Sequence, residues 1–222
     1  MTSQLVIKLL IVAVLSYLLG SLNFGVILSR IASKGKDDIR DHGSGNAGTT
    51  NMMRSYGKAA GIATIAGDML KVVVAIVIAT KIIEPSLLND VSFIGGNGKI
   101  ILKSFAGLFC VIGHIFPCFF NFKGGKGVAT SGGMVFMIDW RIALILLAFF
   151  AVTVLITKYV SLGSIVMAVL YPVFIFVFYK DVVLTLICVV FTLIVLIAHH
   201  ENIKRLFNHT ESKIGEKKEK SS

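Results

Sequence analysis

Apolar residues gather into seven stretches, at residues 5–28, 59–83, 100–120, 128–138, 142–157, 160–179 and 182–198. A helix crossing ~30 Å of hydrocarbon needs ~20 mostly apolar residues, and most of these stretches approach or exceed that length. The pattern predicts an all-α polytopic membrane protein with about seven transmembrane helices. The stretch 128–138 is only about half of a straight crossing, which leaves tilting, borrowing of 124–127, or entry and return. Among charged residues only Lys8 lies ahead of the run from Leu9 to Leu28, which is longer than a signal-peptide core of about 7–15 residues, so the first stretch reads as a retained helix. No repeat is visible. The Lys/Glu/Ser-rich segment after Thr210 reads as solvated and disordered, giving a single transmembrane domain over 1–209 and a charged cytoplasmic tail over 210–222.

Composition narrows the class. Of 222 residues, 55% are hydrophobic and 15% charged, and the mean hydropathy is +0.85, outside the range of ordinary soluble domains. A net charge of +10 would suit a nucleic-acid binder, but the Lys and Arg residues fall between apolar runs and in the tail. That distribution fits a membrane surface and argues against nucleic acid. Cys110, Cys118 and Cys188 are scattered through apolar stretches without a CxxC pair, so they read as packing residues.

With seven crossings, one side collects Arg30, Lys34, Lys36, Arg40, Arg54 and Lys58, then Lys123 and Lys126, then Lys158, then the basic tail. The other side holds only Lys8, Lys99, Arg141 and Lys180. Positive loops stay cytoplasmic, so the amino terminus is expected outside and the carboxyl terminus inside.

Four connectors carry more Gly, Ser, Asn and charge than a plain link requires: Gly43-Ser44-Gly45-Asn46-Ala47-Gly48-Thr49-Thr50-Asn51 with Arg54; Gly113-His114-Ile115-Phe116-Pro117 leading to Phe122-Lys123-Gly124-Gly125-Lys126-Gly127-Val128-Ala129-Thr130; Lys158-Tyr159-Val160-Ser161; and His199-His200-Glu201-Asn202-Ile203-Lys204-Arg205-Leu206. Glycines let backbone N–H groups approach an anion, and Ser, Thr and Asn add donors. The first segment matches G-x-G-x-x-G but lacks the βαβ context of a dinucleotide site, and Lys126 lacks the Walker pattern. A single glycine cluster is more often a turn or a close helix crossing. Two clusters with cations on one face favour an anion site. Asp68 and Lys71 sit three apart on one helix face, as either a structural ion pair or a substrate-linked one. His114 reads first as an interfacial helix cap, and Trp140 and Tyr179 as belt residues.

These residues together resemble the bacterial acyl-phosphate-dependent glycerol-3-phosphate acyltransferases, from Gly20-Ser21-Leu22-Asn23-Phe24-Gly25 to the His199–Leu206 segment. The loops at 43–54 and 122–130 are the most specific parts. The resemblance implies a multi-pass enzyme of the bacterial cytoplasmic (inner) membrane, with its site facing the cytoplasm. It would transfer a fatty acyl group from acyl phosphate to the 1-hydroxyl of glycerol 3-phosphate, giving lysophosphatidic acid and phosphate, without metal or other cofactor. By similarity, Gly43, Ser44, Gly45, Asn46, Thr50 and Arg54 form a first phosphate-binding loop, Gly124, Gly125 and Lys126 a second, and Ser161, His199 and Asn202 complete the pocket. Ser44, Lys126, His199 and Asn202 are the candidate catalytic groups. The chain departs from the family pattern at Asn23, Thr49, Val72 and His200, none of them an assigned site residue; family spacing favours His199 over His200.

Two phosphorylated substrates require cations against their mutual repulsion. The 43–50 loop and Lys126 are assigned to acyl phosphate, and Arg54 with Lys158 to glycerol 3-phosphate. Orientation and oxyanion donors suffice for an activated anhydride, so a Ser44 nucleophile is not required. His199 is left with two roles, orienting the site or taking a proton, and a substrate phosphate is a competing proton acceptor. A transporter of phosphorylated small molecules is the alternative class. It is disfavoured by the absence of repeats and by the gathering of polar motifs on one face.

Overall fold

A computed structural model of the chain describes residues 3–84, 86–89 and 97–214. Among these residues the fold is all-helical. All seven apolar stretches become helices, but the first does so in two pieces, α1 (Ser3–Gly20) and α2 (Phe24–Ala32). Asn23 ends the run by accepting the Val26 amide with its side chain, the capping contact that starts a new helix. A short 3-10 turn (Ile39–Asp41) and α3 (Thr49–Tyr56) form the first polar connector. The chain then passes through α4 (Lys58–Ile82), α5 (Ser86–Asn89), α6 (Gly98–Ile115), α7 (Val128–Ile138), α8 (Trp140–Thr157), α9 (Val160–Tyr179), α10 (Val182–Ala198) and α11 (His200–Phe207).

Among the described residues, five helices are long and apolar enough to cross a membrane: α1–α2 taken through its break, α4, α6 with the turn after it, α8 and α9; α10 with α11, bent by 63°, makes a sixth if taken as one span. The eleven residues of α7 extend ~16 Å, short of a straight crossing. Its start lies beside Val111 and Ile115 near the end of α6, and near its other end the Met137 carbonyl accepts the Lys103 ammonium.

The centre of the bundle is α6, 61% buried in its apolar window, whereas α8 is 11% buried and presents Leu144, Leu147, Val152, Leu155 and Ile156 outward. An outward apolar face of that kind is what lipid solvates. Close approach of α1 to α6 depends on small residues: a Cβ at Gly20 would lie 2.0 Å from the Cys110 carbonyl oxygen, and one at Gly113 2.2 Å from that of Tyr17. Cys110 and Cys188 are buried and free, as packing residues would be.

The break between α1 and α2 releases backbone carbonyls in an apolar interior, where an unpaired polar group costs several kcal/mol. Lys71 on α4 meets them. Its Nζ donates to the carbonyls of Gly20 and Leu22, each at 3.0 Å, and lies 2.8 Å from His114 Nδ1. Those three acceptors use the three ammonium hydrogens, while Asp68 Oδ1 at 2.9 Å balances the charge. The pair that the sequence left open is thus employed in holding a helix break. His114, expected as an interfacial cap, is 3% exposed and part of this network. Its Nδ1 also lies 3.4 Å from Asp68 Oδ1, and its Nε2 faces the second glycine loop: a Cβ at Gly125 would lie 2.3 Å from it.

Candidate phosphate site at one end of the bundle

The first connector is built around a side chain that the sequence did not single out. Asn51, 2% exposed, sends Nδ2 to the carbonyls of Ile39, His42 and Asn46 at 2.9–3.2 Å and accepts the Ser44 amide at 3.1 Å. Four backbone groups of the loop therefore converge on one amide. Gly43 at φ +57° lies against it: a Cβ there would sit 2.2 Å from Asn51 Oδ1. The loop's outer side remains exposed at Gly43, Ser44, Gly45 and Thr50, with Asn46 half-buried. Neither Ser44 Oγ nor Thr50 Oγ1 makes a hydrogen bond among the described residues, and α3 starts at Thr49 with no side chain capping its free amides. Uncapped helix amides with hydroxyls beside them suit an anion. Arg54, exposed in the last turn of α3, has no hydrogen-bond or ion-pair partner among the described residues.

Arg40 joins this loop to the second. Its Nη1 donates to the carbonyls of Phe120 and Lys123, each at 2.9 Å, and its Nη2 pairs with Asp38 at 2.8 Å. Burial alone would raise the Asp38 pKa, but hydrogen bonds from Arg40 and Arg30 outweigh it and hold the carboxyl at about 2. An open recess of about 510 Å³ lies between the loops, lined by Arg30, Arg40 and Lys123 but also by the carboxylates of Asp38 and Asp41.

The second loop lies against the end of α6. The Gly124 and Gly125 amides donate to the carbonyls of Ile115 and His114, and a Cβ at Gly124 would lie 2.0 Å from the His114 carbonyl oxygen. Gly127, at φ +79°, turns the chain into α7, which again begins without a side-chain cap. Thr130 in its first turn has a buried hydroxyl with no hydrogen-bond partner among the described residues. Lys126 points into a half-buried cluster where its ammonium donates to Asn202 Oδ1. Burial, then the nearby Arg205 charge, push the Lys126 pKa down to about 8, with Glu211 partly opposing.

Around Lys126 the assigned residues from α9 and the α10–α11 corner meet. Asn202 Nδ2 donates to Glu211 Oε1 at 2.7 Å, and Ser161 Oγ donates to the same oxygen at 2.8 Å. His199 is 1% exposed, and its Nδ1 lies 2.8 Å from the Val195 carbonyl. A carbonyl only accepts, so the proton resides on Nδ1 and Nε2 keeps its lone pair. His200 instead faces solvent beside Glu201. Lys158, the second cation assigned to glycerol 3-phosphate, is exposed at the α8–α9 junction.

The structure brings Lys126, Ser161 and Asn202 together, with His199 at the same helix corner. It joins the first loop to this group through Arg40 and the 120–124 backbone, with no direct hydrogen bond from Ser44, Thr50 or Arg54 to Lys126 among the described residues. Sequence reasoning missed Asn51, Arg40 and Glu211. Asn51 lay inside the quoted motif, while the carbonyls through which Arg40 reaches the second loop are 80 residues away or more. Residues 211–214, expected within a solvated tail, lie against the protein: Glu211 is in the cluster, and the Ile214 amide donates to the Lys158 carbonyl at 2.9 Å. The remainder of that tail, 215–222, lies outside the described residues.

A helical membrane protein with two glycine-bearing, cation-carrying loops at one end belongs to the class that handles phosphorylated ligands at a membrane surface. Comparison with known proteins narrows this. The profile of a family described as glycerol-3-phosphate acyltransferase matches residues 10–209. The glycerol-3-phosphate acyltransferase of Clostridioides difficile strain 630 is 42% identical over 212 residues, covering 95% of this chain and 97% of its own length. That of Bacillus subtilis strain 168 is 39% identical over 210 residues, covering 95% and 98%. The crystal structure of PlsY (YgiH), an integral membrane glycerol 3-phosphate acyltransferase, in its glycerol 3-phosphate form is similar with a TM-score of 0.80 at 36% identity, over 93% of this chain and 96% of that one. Its lysophosphatidic acid form gives 0.77 at the same identity, over 93% and 95%. This chain belongs to the glycerol-3-phosphate acyltransferase family.

Proposed function

We propose that this protein transfers a fatty acyl group from acyl phosphate to the 1-hydroxyl of glycerol 3-phosphate, releasing lysophosphatidic acid and phosphate in phospholipid biosynthesis. The observation that carries the reading is the meeting of two glycine loops, each leading into an uncapped helix, at one end of a bundle of this family. The chain crosses the bacterial inner membrane seven times, α7 being the short crossing, with its amino terminus outside and the site facing the cytoplasm. The charge asymmetry of the connectors supports that orientation.

In this reading Gly43, Ser44, Gly45, Asn46 and Thr50, with the amides opening α3, cradle one phosphate. Lys126, with the amides opening α7, holds the other, and Gly124 and Gly125, whose own amides are donated to the Ile115 and His114 carbonyls, set that loop against α6. Arg54 grips glycerol 3-phosphate, for which a bidentate guanidinium is suited. The acyl chain stays in the bilayer, each CH₂ contributing ~0.8 kcal/mol. The glycerol hydroxyl attacks the acyl carbonyl, the carbon–oxygen bond to phosphate breaks, and the hydroxyl proton passes to His199 Nε2 or leaves with the phosphate. Ser44 acts as a donor rather than a nucleophile, since no histidine contacts its hydroxyl among the described residues. Asp68 and Lys71, the buried charges a transporter could use, are engaged at the helix break.

The test uses detergent-purified protein with palmitoyl phosphate and glycerol 3-phosphate. Phosphate release that requires glycerol 3-phosphate and matches lysophosphatidate formation is expected. Release independent of glycerol 3-phosphate would mean hydrolysis, and folded protein without turnover would refute the assignment.

A further inference from the structure

One guanidinium spans the two glycine loops, and its surroundings are fixed on both sides. Arg40 lies in the 3-10 turn Ile39–Asp41, three residues before Gly43. Its neighbour Ile39 is fully buried; the Ile39 amide donates to Ser29 Oγ at 3.0 Å, and the carbonyl accepts from Asn51 Nδ2. Bonds from Arg40 Nε and Nη2 to the two Asp38 oxygens, at 2.9 and 2.8 Å, set the plane of the guanidinium. Nη1 is left for the second loop, where it meets the carbonyls of Phe120 and Lys123. Four of the five N–H donors are thereby committed within the protein.

The stretch that Arg40 grips is one that needs holding. Asn121 and Phe122 follow each other at φ +55° and +56°. A bulky residue such as Phe rarely adopts this left-handed backbone, which persists only where surrounding contacts enforce it. The two carbonyls bound by Arg40 stand immediately before and after this pair, and Lys126 follows three residues beyond the second. Two phosphates brought side by side repel each other, and the repulsion pushes apart the loops that carry them. A planar fork bonded across both loops opposes that separation with a geometry that a point charge lacks. We infer that Arg40 is a positioning residue of the acyltransfer site, a tie that sets the separation of the two glycine loops and so of the two phosphates they hold. A rival reading makes Arg40 itself a phosphate ligand. Its committed donors, and the Asp38 carboxylate that balances its charge, favour the tie.

This inference rests on the proposed function, and its test separates the two. Wild type, Arg40→Ala, Arg40→Lys and Arg30→Ala are compared in detergent with palmitoyl phosphate and glycerol 3-phosphate. The readouts are kcat, KM for each substrate, equilibrium binding of glycerol 3-phosphate alone, and thermal unfolding. Arg40→Ala is expected to lower kcat roughly 10- to 100-fold, the scale of a small misplacement, while both KM values and the affinity for glycerol 3-phosphate stay within about threefold. Arg40→Lys keeps the charge without the fork and should show the same split in milder form, which also serves if the alanine variant does not fold. Arg30→Ala is the control. Arg30 shares Asp38 at 3.0 Å and lies 5.4 Å from the Phe120 ring, but its side chain makes no hydrogen bond to the second loop among the described residues. Its kcat should therefore hold within about threefold. Unchanged kcat in both Arg40 variants would overturn the inference. So would a raised KM or weakened glycerol 3-phosphate binding with kcat kept, the signature of a ligand. An equal loss in Arg30→Ala would also overturn it, by making the whole cluster a structural support. If wild type forms no lysophosphatidate, the proposed function fails; if it does and the Arg40 variants are silent, only the inference fails.

Discussion

The two loops face the same task with opposite preparation. Around the first, hydroxyls and a guanidinium stand exposed and without partners among the described residues, and order comes from one buried amide, Asn51, holding the backbone from beneath. Around Lys126, the polar groups are buried and already bonded to one another through Asn202, Glu211 and Ser161. An open loop with free donors can take a water-soluble anion from solution at little cost in broken contacts. A closed cluster keeps an ammonium in a low-dielectric setting, where its field on a developing charge is strongest. The comparison therefore assigns binding mainly to the first region and rate mainly to the second.

Lys126→Ala should have the largest effect, lowering kcat by roughly 100- to 1,000-fold in steady-state assays, on the scale of losing one oxyanion donor. A change confined to KM would reverse the assignment. Asn51→Ala comes next. It removes the partner of the Asn46 carbonyl and the Ser44 amide, while the Ile39 and His42 carbonyls keep the His42 and Gly45 amides; at about 1–3 kcal/mol for an unsatisfied buried group, it should raise KM for glycerol 3-phosphate tenfold or more while the bundle still unfolds near its normal temperature. An unchanged KM would mean that the loop's shape does not matter. Ser44→Ala should cost less, roughly 3- to 30-fold, because a donor is lost and no bond-forming group. Abolished turnover would restore the nucleophile.

The smallest effect is in pH. The Lys126 charge is present below about 8 and lost above it, so kcat/KM of the free enzyme should fall on the alkaline side of that value. Lys126→Arg, charged throughout this range, should remove that limb even with a lower maximum rate. An identical alkaline limb in the arginine variant would assign it to another group.

These differences also mark what the sequence could convey. Helix positions were legible because lipid demands apolar length, and the loops were legible because glycine and charge are out of place in a plain connector. The interruption at Ser21–Asn23 was not, since residues 5–28 read as one apolar run; the capping by Asn23 and the reach of Lys71 to Gly20 and Leu22 are long-range compensations that no window of sequence contains. Arg40 was counted as a positive-inside charge; besides its neighbour Asp38 it reaches the carbonyls of Phe120 and Lys123, which carry no sequence signature at all. Glu211 was hidden by its neighbours: one of several acids in a Lys/Glu/Ser-rich segment reads as solvated until folding brings Ser161 and Arg205 to it.

The central claim is that the first loop and the end of α11 share the cytoplasmic face. Cys110 and Cys188 are buried, so replacing Cys118 with Ala gives a quiet background for Ser44→Cys, His209→Cys and, as the opposite-face reference, Lys180→Cys. Labelling with a membrane-impermeant maleimide in vesicles of known sidedness should modify positions 44 and 209 only from the cytoplasmic side and position 180 only from the other. Modification of 44 and 209 from different sides would contradict the account.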